Sequence, residues 1–222
     1  MKQHRRHRAI GRGLFRAQPG KSRARIAATL FCALFPPVAF AQQPVLASDG
    51  LAHWRAVYSV LTNPRCINCH TMTNYPRQDD DRHPHKFGVV RGRHDKGVPA
   101  AMCSTCHQAA NNSASGVPGG PAWHLAPLSM AWESKPGVAM SSGQLCATLK
   151  DRKRNGDHTL AELAEHHETE PLVQWAWAPG THADGSARAA PPLTHGQFVT
   201  AFSAWIKAGA PCPPAVEARN TK

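Results

Sequence analysis

The sequence predicts a mainly α fold with extensive coil and few or no strands. Three capping-box patterns stand ahead of plausible helices: Ser141 with Gln144, Thr159 with Glu162, and Thr194 with Gln197. No long stretch alternates apolar and polar residues, and no hairpin signal is convincing. Gly and Pro number 17 and 19 in a chain of 222 residues, a composition suited to a small, loop-rich fold. A chain of this kind has a thin apolar core and invites staples or bound groups.

Residues 1–41 read as an address. They hold nine basic residues and no acid, followed by the apolar run Ile26–Phe40 and the tripeptide Ala39-Phe40-Ala41. This is the pattern of a secretory signal cleaved after Ala41. The alternative is an uncleaved anchor, against which Pro36-Pro37 argues. The sequence has no run of 18 apolar residues, so no clear membrane-spanning helix is expected. Losing the segment leaves 17 basic residues against 14 acids, so the formal charge falls from +12 to +3. A nucleic-acid partner is therefore not expected. Export also places the chain where disulfides persist.

The elements follow in order. Residues 42–48 read as a short leader. Leu51, Trp54, Tyr58 and Leu61 then recur at helical spacing, with Pro64 as the stop. Thr71–Gly97 is polar and reads as an irregular loop. A helix over Val98–Ala109 is expected, and Asn111–Pro121 reads as a linker. A helical C-terminal part spans 141–213. In its last helix Phe198, Phe202, Trp205 and Ile206 form one apolar face, and Gly209 stops it.

Cysteine usage carries the chemistry. Cys32 leaves with the signal. Four of the remaining six cysteines make two identical patterns, Cys66-Ile67-Asn68-Cys69-His70 and Cys103-Ser104-Thr105-Cys106-His107. C-x-x-C-H is the c-type haem attachment pattern: two thiols form thioethers to the porphyrin vinyl groups, and the adjacent imidazole turns onto the iron. Two covalently bound haem c groups are expected, with Cys66, Cys69, Cys103 and Cys106 as thioethers and His70 and His107 as proximal ligands. A zinc site is the competing reading, although zinc does not require a histidine after each pair. Residues 42–222 then read as a single dihaem cytochrome c domain. The motifs begin only 37 positions apart, so one small shell must hold both haems close together. Cys146 and Cys212 remain and are expected to pair; the alternative is two unpaired buried thiols.

Distal ligands are not set by spacing. His85 and His124 are the preferred candidates, with His83 and Met130 as substitutes. The His83-Pro84-His85 stretch lies between the motifs, and His124 sits among apolar residues after the second. His166-His167 reads as surface or hydrogen-bonded. Arg91, Arg93 and Lys96 are either propionate partners or a solvated basic loop.

These residues resemble a family of bacterial dihaem cytochromes c often labelled as the subunit of an isoquinoline 1-oxidoreductase-type enzyme. The matching stretches are Cys66–His70, His83–Gly97, Cys103–Gln108, Pro118–Trp132 and Gly209–Pro213. The resemblance implies a periplasmic electron acceptor for a molybdenum hydroxylase or aldehyde-oxidising partner. No molybdopterin domain fits in this chain, so it would be the cytochrome and not the hydroxylase. The expected function is thus a periplasmic relay from a partner oxidoreductase to the respiratory chain, with no catalytic residue of its own. The alternative is a haem enzyme, such as a dihaem peroxidase or sulfur-compound oxidase, which needs one open iron. A gas or redox sensor ranks below both.

Overall fold

The structure, a computed structural model, describes residues 43–215. The expected signal segment and Cys32 lie outside the described residues. Seven helices carry the described chain: α1 (Gln43–Leu61), α2 (Pro64–Ile67), α3 (Cys103–Cys106), α4 (Ser142–Lys150), α5 (Leu160–Thr169), α6 (Pro171–Gln174) and α7 (His195–Lys207). Three antiparallel two-stranded ladders are interspersed: β1 (Arg77–Gln78) with β2 (His83–Pro84), β3 (Gly97–Val98) with β4 (Ala101–Met102), and β5 (Glu133–Lys135) with β6 (Val138–Ala139). The mainly helical expectation holds, and the strands are few and short.

The core lies where α1 crosses α7. Trp54, Val57, Val60 and Leu61 of α1 are buried, as are Phe198, Ala201, Phe202 and Trp205 of α7. The Trp54 and Trp205 rings lie 4.9 Å apart. Gly50 permits this approach, because a Cβ there would sit 2.6 Å from the Pro211 ring. Helix α1 begins at Gln43, inside the stretch expected to be a leader. All three capping boxes form, with the Ser141, Thr159 and Thr194 hydroxyls accepting from the backbone N–H three residues on. A Cys146–Cys212 disulfide ties α4 to the segment after α7, as the cysteine count predicted.

Two local expectations give way. Helix α1 stops at Leu61, and Pro64 opens α2 as its first residue, capped by the Asn63 side chain on the Arg65 N–H. A ring with no N–H fits the first helical turn better than it fits a terminator. The helix expected over Val98–Ala109 shrinks to Cys103–Cys106. Gly97 at φ +88° and Pro99 instead turn the chain into the β3–β4 hairpin, where Gly97 pairs with Met102.

The loop from Thr71 to Gly97 is irregular, as expected, but firmly tied. Arg91 is 4% exposed, and its guanidinium donates to the Thr71 carbonyl at 2.8 Å and pairs with Asp95 at 2.5 Å. It also reaches the Ala126 carbonyl. Buried Glu133 accepts from the Thr71 hydroxyl at 2.8 Å and the Met72 N–H at 3.0 Å, and pairs with Arg77 and Arg82. These two hubs hold the chain after the first motif against the segments that follow the second. Arg91 is thereby buried against protein acceptors rather than solvated.

Candidate haem sites

Each C-x-x-C-H segment is wound as one helical turn. The His70 N–H returns to the Cys66 carbonyl at 3.2 Å, and the His107 N–H to the Cys103 carbonyl at 2.9 Å. Such a turn gathers two thiols and an imidazole without long-range contacts.

The two imidazoles are then fixed in the same way. His70 Nδ1–H donates to the Met130 carbonyl at 2.8 Å, and His107 Nδ1–H donates to the Pro118 carbonyl at 2.7 Å. A carbonyl only accepts, so the proton resides on Nδ1 and the Nε2 lone pair is left to a metal. Each ring is also backed by a tryptophan. Trp132 stacks on His70 at 3.5 Å and 6°, and Trp123 on His107 at 4.5 Å and 0°. Burial pushes the His70 pKa down to about 4 and lowers that of His107 as well, which keeps both rings neutral and ligand-competent at pH 7.

Burial also acts on the thiols of the two motifs. Burial pushes Cys66 up to about 12 and Cys69 up to about 11, and it raises Cys103. Cys103 adds to the rise at Cys69, so the two cysteine pairs lie within electrostatic reach of each other. Among the described residues, no three His, Cys, Asp or Glu side chains are gathered as a metal-ion cage.

A cleft of about 1300 Å³, counting space open to solvent, adjoins the first motif. Cys66, Cys69, His70 and Trp132 line it along with the apolar Leu61, Leu149, Leu163 and Phe198. A smaller cleft of about 650 Å³, counted the same way, is lined by His107, Met102, Lys96 and Trp123. Trp123 lines both. Thiols, a bare Nε2 and adjoining apolar space thus fit covalently held haem at the first motif, while at the second His107 lines the cleft and neither Cys103 nor Cys106 does.

The distal candidates fall into place unequally. His85 lies 6.0 Å from His107, ring centre to ring centre. His85 Nδ1–H donates to the Lys86 carbonyl at 2.7 Å, so its Nε2 too is bare. His124 lines the first cleft and donates Nδ1–H to the Ala122 carbonyl. Among the described residues, the histidines with Nδ1 held on a backbone carbonyl are His70, His85, His107 and His124.

His83 instead bonds Asp81 through Nδ1 at 2.6 Å, leaving Nε2 buried and without a partner. Met130 stands behind His70 through its carbonyl, although its side chain also reaches the cleft. The sequence did not signal that carbonyl, the Pro118 carbonyl or the two stacked tryptophans. It also misread His166-His167. Both line the first cleft. His167 is 5% exposed, and its ring lies edge-on 4.6 Å from Phe202, with no hydrogen bond at Nδ1. The signal available was its i,i+4 spacing from Leu163, which places both on the core face of α5.

No protein-family model, curated protein or solved structure matches this chain.

Proposed function

We propose that this chain is an exported dihaem c-type cytochrome, a periplasmic relay that passes electrons from a partner oxidoreductase towards a respiratory chain. The observation that carries the reading is the repeated construction at His70 and His107: one turn with two thiols, an Nδ1–H donated to a carbonyl, and a tryptophan stacked parallel to the imidazole. When bound, haem supplies one-electron iron redox chemistry. The chain's own part is to anchor it at Cys66, Cys69, Cys103 and Cys106 and to present His70 and His107 in the ligating tautomer. It also brings the two cysteine pairs within electrostatic reach of each other. His85 and His124, both held in the same tautomer, serve as the opposite ligands, which leaves no open position for substrate chemistry.

Zinc suits the site less well, since among the described residues no three His, Cys, Asp or Glu side chains are gathered to hold it. The resemblance stated above supports a molybdenum hydroxylase or aldehyde-oxidising enzyme as the electron source. Visible spectra of the reduced, purified protein with and without carbon monoxide test the relay. An unchanged spectrum is expected; a large shift would expose an open iron and move the chain to the enzymes.

A further inference from the structure

We propose that the surface around His85 and His107 is the docking face for a redox protein with an acidic surface, with Phe87 as its apolar contact. The proposal rests on the dihaem reading and names the kind of partner that reading requires.

Phe87 is 94% exposed. It stands two residues after His85, in a turn where its own φ is +64°, a region bulky side chains seldom enter. Burying a phenylalanine is favourable, and the chain leaves this one in water two residues from a candidate iron ligand. The acids that precede it, Asp79, Asp80 and Asp81, are engaged by Arg188, Arg65 and His83, whereas the nearby cations are not. Lys86, Arg93 and Lys96 are exposed, and none joins a salt bridge among the described residues. Asp95 is the lone acid between His85 and His107, and Arg91 neutralises it at 2.5 Å. Lys96 lines the same cleft as His107.

An aromatic contact ringed by uncompensated cations is suited to a partner surface of opposite charge, which steers encounter and sets orientation. Placing it at the His85–His107 pair shortens the electron path between the partners. A neutral or basic partner would leave these cations unanswered.

The test uses the holoprotein, first shown to carry two covalent haems. Its binding to oxidised flavodoxin, an acidic redox protein, is measured by surface plasmon resonance at low and high salt. The Debye length falls from about 30 Å at 0.01 M to about 3 Å at 1 M ionic strength. Binding is expected at low salt and lost at high salt. A combined Lys86→Glu, Arg93→Glu and Lys96→Glu variant should bind at least about tenfold more weakly. Phe87→Ala should weaken binding about three- to tenfold. Phe87→Ala should keep the parent's visible spectrum, and the charge variant, whose Lys96 lines the His107 cleft, is scored only once mass spectrometry shows two haems.

Salt-independent binding, or variants that bind like the parent, would overturn the docking face while leaving the dihaem reading intact. So would retention on phosphatidylglycerol vesicles that Phe87→Ala abolishes, without flavodoxin binding, because the patch would then belong to a lipid surface. A preparation without two covalent haems would overturn the reading beneath it.

Discussion

A histidine becomes a ligand when one ring nitrogen is occupied and the other is left bare. His85 and His124 meet that condition through the Lys86 and Ala122 carbonyls. Replacing each by alanine should open a different iron. Carbon monoxide should then shift the reduced spectrum of one haem in His85→Ala and of the other in His124→Ala. An unresponsive His124→Ala protein would shift the choice at the first cleft to its other histidines. The proposed thioether and proximal residues stand out in the sequence because covalent attachment and ligation would demand adjacent side chains. The carbonyls of Met130 and Pro118 were not, since every residue has one and only the fold selects which is used. A buried carboxylate was equally silent. Glu133 is 3% exposed and balances Arg77 and Arg82, whose side chains are themselves mostly buried. Glu133→Ala should destabilise the fold by about 3 kcal/mol, because it strands two buried cations. A urea midpoint matching the parent would show that water reaches them.

Elements were legible where their causes are local. The boxes at Ser141, Thr159 and Thr194 place each start within a few residues of its helix. The stretch around the second motif was not, because Gly97 and Pro99 commit it to a hairpin that apolar periodicity cannot register. Helices α1, α4 and α7 form the firmest part of the fold, and the Cys146–Cys212 bond closes α4 onto the chain beyond α7 across 66 positions. By chain entropy, a loop of that size contributes about 4 kcal/mol through the unfolded state. The paired Cys146→Ser and Cys212→Ser variant should therefore lose stability in urea by about that amount. It should keep its haem spectrum, since neither sulfur lines the clefts. A spectrum that changes along with stability would instead make the staple part of the haem shell.

At the scale of the molecule, the short interval between the motifs becomes a neighbourhood. Cys69 and Cys103 lie within electrostatic reach of each other, and Trp123 lines both clefts. Sequence states only that the two motifs lie 37 positions apart; that their cysteines come within electrostatic reach depends on the Arg91 and Glu133 hubs folding the intervening loop back. Two paramagnetic irons held this way should sense each other. The electron paramagnetic resonance spectrum of the fully oxidised holoprotein should therefore carry dipolar broadening. A Cys103→Ala, Cys106→Ala variant, which keeps only the first haem, should lose that broadening and show a single sharper ferric signal. A parent spectrum equal to the sum of two isolated signals would place the irons too far apart to relay directly, even with both haems attached. The variant carries its own control: mass spectrometry should find one haem, so a missing interaction cannot be mistaken for a missing cofactor.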